Sequence, residues 1–166
     1  HSLNSILPAD ILISALDEVD AAFHARFDAK KRTYLYLLTQ TRSPFYKNYS
    51  YFYPRKIDLQ KLNLLCNLFL GEKDFTSFSK KNSEIENKNC NIYKAYWRQK
   101  GEVILFSIQA SRYLHGMVRT IVGTLLNAQD QHEPETFIQE IFNSHNREEA
   151  FESVPAKGLF LYKVEY

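Results

Sequence analysis

The sequence has few of the residues that build disulfide frameworks and metal clusters. Its two cysteines, Cys66 and Cys90, lie far apart and form no Cys-x-x-Cys pair. Zinc and iron–sulfur sites need several such ligands at close spacing. We therefore expect no metal site and two free thiols, one buried and one partly exposed.

Long apolar runs are also absent. No stretch approaches the roughly 20 apolar residues that a membrane-spanning helix needs, and the start of the chain lacks the basic and apolar regions of a signal peptide. We expect a cytoplasmic protein without membrane association, although a chain that starts with His1 can be an internal fragment or carry cloning residues. Because no repeat or flexible linker divides its 166 residues, a single domain is predicted.

Aromatic and charged residues are abundant, which excludes a disordered chain. The net charge of +2 is too small to indicate an acidic partner, but the charges are unevenly placed. Acidic residues gather after residue 132, whereas basic residues form four earlier clusters, at Arg26 with Lys30 to Arg32, Arg55 with Lys56, Lys80 with Lys81, and Arg98 with Lys100. This pattern indicates either a phosphate-binding face or scattered, solvated side chains.

Hydrophobic periodicity predicts strands in three regions. Residues 32–39 form a central strand with Tyr34 and Tyr36 on one face. Residues 91–99 and 103–110 form a hairpin, and 159–166 form a last strand that pairs with an earlier one. The segment 43–54 is predicted to be an aromatic-rich connection, without helix or strand, that packs on the body of the domain. The pattern at 11–16 fits either a short helix or a buried strand.

Three helices are predicted between these strands. The first has Asp58 as its N-cap and ends near Gly71. The second covers about 115–127, where Gly123 suggests close packing against a neighbour. The third begins with Pro134 in its first turn, and Phe137, Ile138, Ile141 and Phe142 form its buried face. The predicted fold class is α+β, with helices packed on a mostly antiparallel sheet.

One charged residue, Arg119, stands out because it falls inside an apolar helix. A guanidinium there needs an anion nearby, or it lies at the rim of the helix and reaches water. Tyr34 and Tyr36 have a similar alternative as core residues of their strand. The residue pattern alone leaves these alternatives open.

Four sets of residues, in one order, resemble the TruA family of tRNA pseudouridine synthases. The sets are Phe23-His24-Ala25-Arg26-Phe27 with Ala29 and Arg32-Thr33-Tyr34-Leu35-Tyr36; Leu70-Gly71-Glu72-Lys73-Asp74-Phe75-Thr76-Ser77-Phe78; Tyr113-Leu114-His115-Gly116-Met117-Val118-Arg119-Thr120-Ile121-Val122-Gly123; and Ala156-Lys157-Gly158-Leu159-Phe160-Leu161. Together they cover most of the chain. Residues 4–11 resemble the link between the two halves of the family's proteins.

The resemblance implies a TruA-like C-terminal pseudouridine synthase domain over residues 23–166, with residues 1–22 as the inter-half link. It implies an isomerase that converts uridine to pseudouridine in the anticodon stem-loop of tRNA, at positions 38, 39 and 40. A homodimer and no cofactor or metal are implied for the full-length protein. The family's nucleophile stands in a Gly-Arg-Thr-Asp motif, and none of the seven aspartates here lies in one. We therefore expect this chain to be inactive alone.

The resemblance also assigns roles to individual residues. Tyr34 matches the active-site tyrosine, which stacks on the flipped base. Arg119 matches the arginine that pairs with the nucleophilic aspartate, so here it is expected to lack that partner. The phosphate-binding candidates beside these motifs are Arg26, Lys30, Arg32, Arg112 and His115. Gly116 departs from the family pattern, since bacterial relatives often have a second histidine there.

Two other functions compete with the enzyme. A non-catalytic RNA-binding module would keep the basic surface without a nucleophile. A dimerisation module would use the apolar and aromatic surface and is compatible with the enzyme.

Overall fold

The computed structural model describes residues 3–81 and 85–166. The hypothesis of cloning residues at His1 lies outside this part, as do the first two residues of the expected link. In order, the described strands and helices are β1 (Lys31–Thr39), β2 (Tyr51–Phe52), α1 (Leu59–Cys66), β3 (Gly71–Asp74), β4 (Asn89–Lys100), β5 (Val103–Ala110), α2 (Met117–Ala128), α3 (Pro134–Ser144) and β6 (Leu159–Glu165).

The strands form one six-stranded sheet in the order β2-β1-β5-β4-β3. β5 pairs with the whole length of β1 on one side. On the other side, β6 pairs with Lys31–Tyr36 and β2 with the last two residues of β1. Only the β1–β2 pair is parallel among the described pairs. The predictions of a central strand, a hairpin and a last strand paired to an earlier one are confirmed.

The helices cover one face of this sheet and enclose the core. Alternate residues of β5 are buried there, as predicted, namely Ile104, Phe106, Ile108 and Ala110. The apolar face of α2 is buried as well. Each such side chain contributes roughly 1.5–3 kcal/mol on leaving water, so α2 is held firmly against the sheet. In α3 only the middle of the predicted face is fully buried, because Phe137 and Phe142 keep partial exposure.

Local chemistry sets the ends of α1. The Asp58 carboxylate accepts a hydrogen bond from the Lys61 backbone N–H at 3.0 Å, which confirms the predicted N-cap. The α-helix ends at Cys66 and continues as a single 3-10 turn to Phe69. Gly71, with φ of 86°, therefore opens β3 rather than ending the helix.

Three expectations are corrected. Residues 11–16 form neither a helix nor a buried strand, and Leu16 is 85% exposed. Both thiols are buried, not one, since Cys66 lies on the buried face of α1 and Cys90 starts the buried face of β4. The aromatic connection ends in β2, but Phe45 within it is 83% exposed. Apolar composition alone does not reveal which of these side chains finds a partner inside the chain.

Across residues 3–81 and 85–166, none of the helices is both long and apolar enough to span a lipid bilayer.

Candidate nucleic-acid interface

Tyr34 lies on β1 at the wall of an open cavity of about 480 Å³. We call it the tyrosine cavity, and its lining residues are Arg26, Phe27, Ala29, Arg32, Tyr34, Ile85, Ser111, Arg112 and Tyr113. The Tyr34 ring is half-buried and meets the Tyr113 ring edge to face, with ring centroids 5.0 Å apart. Tyr34 thus has a fixed ring that is still accessible from the cavity.

Tyr113 holds the rear of this cavity in place. Its hydroxyl lies 2.9 Å from the Ile108 carbonyl oxygen and 3.2 Å from that of Arg32. Burial, and then the neighbouring Tyr34, raise the pKa of Tyr113 well above its usual range. The hydroxyl therefore stays protonated and keeps donating to the backbone, which makes Tyr113 a support for the Tyr34 ring.

Arg32 uses its guanidinium on the backbone. Nη1 donates to the carbonyl oxygens of Ala29 at 3.1 Å and Ser111 at 3.0 Å. Nη2 donates to the Arg26 carbonyl oxygen. With both terminal nitrogens engaged, Arg32 fixes the segment before β1 against the loop after β5. It shapes the cavity wall and adds positive charge there.

Of the other predicted phosphate-binding residues near Tyr34, Arg26 and Lys30 are exposed and Arg112 is half-buried. The Arg26 guanidinium carbon lies 5.5 Å from the centroid of the Phe27 ring, and that ring is exposed. Arg112 lines the same cavity and contributes to a positive environment that also reaches Cys90. Lys30 is exposed next to the cavity, and its backbone N–H donates to the Glu165 carbonyl oxygen at 2.8 Å.

Arg119 and His115 line a second open cavity of about 400 Å³ at the start of α2. We call it the arginine cavity, and its lining residues are Lys80, Lys81, His115, Gly116, Arg119, Thr120, Arg147 and Ser153. None of these is acidic. Among the described residues, one carboxylate reaches the group from outside, because Glu148 forms an ion pair with Lys81. At this point the basic and acidic parts of the sequence meet instead of occupying separate faces.

Arg119 is half-buried and anchored through one nitrogen. Its Nε donates to the Val154 carbonyl oxygen at 2.5 Å, and the Val154 N–H donates back to the Arg119 carbonyl oxygen at 3.3 Å. Among the described residues, Arg119 forms no ion pair, and its two terminal nitrogens have no hydrogen-bond partner. The guanidinium is thus oriented by the chain while its terminal donors remain available to an anion.

The structure divides the predicted site residues between the two cavities. Tyr34, Arg26, Arg32 and Arg112 come together in one, and Arg119 and His115 in the other. The connection from β5 to α2 contributes to both, with Tyr113 in the tyrosine cavity and Gly116 in the arginine cavity. Because one short connection serves both, an extended ligand could contact the two cavities together.

Two cavities with cationic lining residues and an accessible aromatic ring suit a ligand that carries several phosphates and exposed bases. Guanidinium and ammonium groups bind phosphates, and an accessible aromatic ring stacks on a base. Within the described residues, no group of three or more His, Cys, Asp or Glu side chains is placed to hold a metal ion.

Four residues that line the two cavities, Tyr113, Lys80, Lys81 and Arg147, were not among the site residues predicted from the sequence. Tyr113 stood within a motif beside Arg112, and the two lysines were one of the basic clusters. Arg147 lay among acidic residues near the end of the chain, so only the fold brings it to Arg119.

Known proteins resemble this chain closely. A sequence profile for a family described as tRNA pseudouridine synthase matches residues 65–166. The chain is 38% identical over 166 residues to tRNA pseudouridine synthase A of Parabacteroides distasonis, and the match covers 100% of this chain and 66% of that protein.

Two further relatives give the same result. The chain is 40% identical over 167 residues to tRNA pseudouridine synthase A of Bacteroides fragilis, covering 100% of this chain. It is 41% identical over 167 residues to tRNA pseudouridine synthase A of Porphyromonas gingivalis, covering 99% of this chain. The chain spans about 66% of the length of each of these relatives.

Proposed function

The chain belongs to the tRNA pseudouridine synthase family, and from this we propose that the full-length protein isomerises uridine to pseudouridine in tRNA. The substrate is the anticodon stem-loop, the protein acts as a homodimer in the cytoplasm, and this chain alone is inactive. No redox or metal cofactor takes part, because the reaction breaks a glycosidic bond and joins the same base again through carbon.

The observation that carries the proposal is the position of Tyr34. Its half-buried ring is fixed by Tyr113 and faces a cavity with three arginines in its lining. A uridine that leaves the RNA helix loses stacking worth a few kcal/mol, and an aromatic ring in a shaped pocket compensates for part of that loss. In this proposal Tyr34 stacks on the flipped base, its hydroxyl assists proton removal from the base carbon, and Arg26 and Arg112 bind the flanking phosphates.

Arg119 has a different role. Its free terminal nitrogens are suited to a bidentate contact with a carboxylate, which would keep that carboxylate ionised and aimed at the sugar. No aspartate of this chain stands in the family's Gly-Arg-Thr-Asp motif. We therefore propose that the nucleophile comes from the part of the full-length protein that corresponds to the remaining third of the relatives. His115, exposed in the same cavity, contacts a phosphate.

The test is tritium release from tRNA labelled at carbon 5 of uridine. We expect release by the full-length protein and none by this chain alone. Release by neither would refute the proposed function and favour the non-catalytic RNA-binding module. Release by this chain alone would show that the nucleophile lies within residues 1–166.

Tyr34→Phe separates stacking from chemistry, because it keeps the ring and removes the hydroxyl. In the full-length protein we expect kcat to fall by roughly a hundredfold to ten-thousandfold, with tRNA affinity nearly unchanged. Tyr162→Phe is the matched control, since Tyr162 is an exposed tyrosine on β6 outside both cavities. An unchanged kcat in Tyr34→Phe would show that the hydroxyl takes no part.

A further inference from the structure

A strap of residues 153–158 connects the arginine cavity to the middle of the sheet. It follows α3 in the chain, is hydrogen-bonded to α2 at Arg119 and leads directly into β6. At its start, the Ser153 hydroxyl lies 2.8 Å from that of Thr120 and accepts a bond from Arg147 at 3.3 Å. These contacts tie the first part of the strap to the arginine cavity.

Two consecutive carbonyl groups of the strap have side-chain donors on different elements. The Val154 carbonyl accepts from Arg119 Nε on α2 at 2.5 Å. The next carbonyl, of Pro155, accepts from the Tyr36 hydroxyl on β1 at 2.7 Å. Between these neighbouring carbonyls only ψ of Pro155 can rotate freely, since the peptide bond is planar and the proline ring fixes φ. Whatever holds the Pro155 carbonyl therefore limits the movement of the carbonyl that anchors Arg119.

Tyr36 is well placed to hold the strap. Its side chain is 0% exposed and sits in the core. Its ring also lies directly under the strap, because a Cβ on Gly158 would be 2.9 Å from that ring and 2.8 Å from the Leu37 carbonyl oxygen. Burial raises the pKa of Tyr36 well above its usual range, an effect that the nearby Arg119 opposes. The hydroxyl thus remains a donor, and the strap lies in contact with β1.

We propose that Tyr36 is a positioning residue for Arg119: its hydroxyl fixes the strap through Pro155, and the strap fixes the guanidinium through Val154. The role rests on the proposed function, in which Arg119 orients a carboxylate. An arginine side chain has several rotatable bonds, and a bidentate contact needs its planar end in one orientation. A fixed Nε acceptor selects that orientation before the carboxylate arrives.

The first experiment detects the hydrogen bond from Arg119 Nε to the Val154 carbonyl and does not depend on enzyme activity. In the ¹⁵N spectrum of this chain near neutral pH, an arginine Nε–H that donates to a buried carbonyl exchanges slowly enough to be seen. We expect such a signal from Arg119, assigned by its loss in Arg119→Lys. It should weaken or disappear in Tyr36→Phe and persist in Tyr53→Phe, the control. Tyr53 is also buried and lines a cavity with Val154, but among the described residues no hydrogen bond joins its side chain to the strap.

The second experiment measures how the loss of this hydrogen bond affects catalysis by the full-length protein. Tyr36→Phe should lower kcat roughly tenfold to a hundredfold, as small misplacements of catalytic groups do, with KM for tRNA unchanged. Tyr53→Phe should leave both constants as they are. Gly158→Ala should displace the strap in a second way, because the added methyl group must push the strap away from β1.

The outcomes are separable. A persistent Arg119 signal in both Tyr36→Phe and Gly158→Ala would overturn the anchor. A lost signal with normal kcat would overturn the positioning role. If the wild-type full-length protein releases no tritium, the proposed function fails, whereas the spectrum still decides whether Tyr36 orients Arg119.

Discussion

Replacing Gly123 by alanine should destabilise the fold, although alanine is the better helix former. Gly123 lies in the middle of α2, and a Cβ there would stand 2.2 Å from the backbone oxygen of Glu152. That is far inside the 3.4 Å at which ordinary contact begins. The clashing atom belongs to the backbone just before the strap, which cannot retreat freely because Val154 is bonded to Arg119 in both directions.

The magnitude follows from two opposing effects. Overpacking costs about 1–3 kcal/mol, and a clash with a backbone atom belongs in the upper part of that range, about 2–3 kcal/mol. Alanine offsets roughly 1 kcal/mol of this through its higher helix propensity than glycine. We expect a net loss of about 1–2 kcal/mol in the free energy of unfolding. For a domain of this size that lowers Tm by roughly 2–8 °C, which calorimetry or circular dichroism resolves.

The control for this prediction is Asn143→Ala, an exposed position in α3. It adds helix propensity without a close neighbour and should leave Tm unchanged or slightly higher. If Gly123→Ala were as stable as the wild type, the close approach of α2 and the segment before the strap would be wrong, and with it the geometry that holds Arg119.

Two further predictions concern pH and salt. Burial raises the pKa of Cys66 to about 12 and, opposed by Arg112, that of Cys90 to about 11. The folded state therefore holds both protons above the ordinary thiol value of 9.0. Stability is fully present below that value and should fall as the pH rises from about 9 to 11, and a flat denaturation profile across that window would contradict the burial of the thiols. Replacing Lys30 and Lys31 by glutamine in the full-length protein should reduce the salt dependence of tRNA binding by roughly 1.4–1.8 in log–log slope. A slope equal to that of the control Lys100→Gln would show that the two lysines face away from the RNA.

Much of the fold follows from local signals in the sequence. The alternation in β1 and β5, the Asp58 cap and the wide apolar face of α2 each depend on residues within a few positions of one another. Gly123 was predicted to mark close packing, because an apolar helix tolerates a glycine chiefly where another segment needs the space. These features were predictable because the apolar residues that a short-range pattern places on one face are the residues that the fold buries.

The rest depends on partners that are distant in sequence. Tyr36 and Pro155 are 119 positions apart, and Arg119 meets Val154 35 positions later. Arg32 shows the same limit. Its charge and its motif indicated a phosphate ligand, whereas its nitrogens bind three backbone carbonyls that only the folded chain brings together. Composition cannot distinguish a cationic side chain that binds a ligand from one that fixes the backbone around a cavity.

The structure also answers the question that Arg119 raised in the sequence. The sequence left two partners open for the guanidinium, an anion or water at the rim of the helix. In the described part of the structure, one nitrogen of the guanidinium is bonded to the backbone and the other two are not. Its Nε is satisfied by Val154, while among the described residues its terminal nitrogens have no hydrogen-bond partner, and the lining residues given for its cavity include Lys80 and Arg147 but none that is acidic. Glu148 offsets part of this positive charge through its ion pair with Lys81. A carboxylate or phosphate would offset more of it, which is the physical basis of the proposal that Arg119 binds and orients an anionic partner.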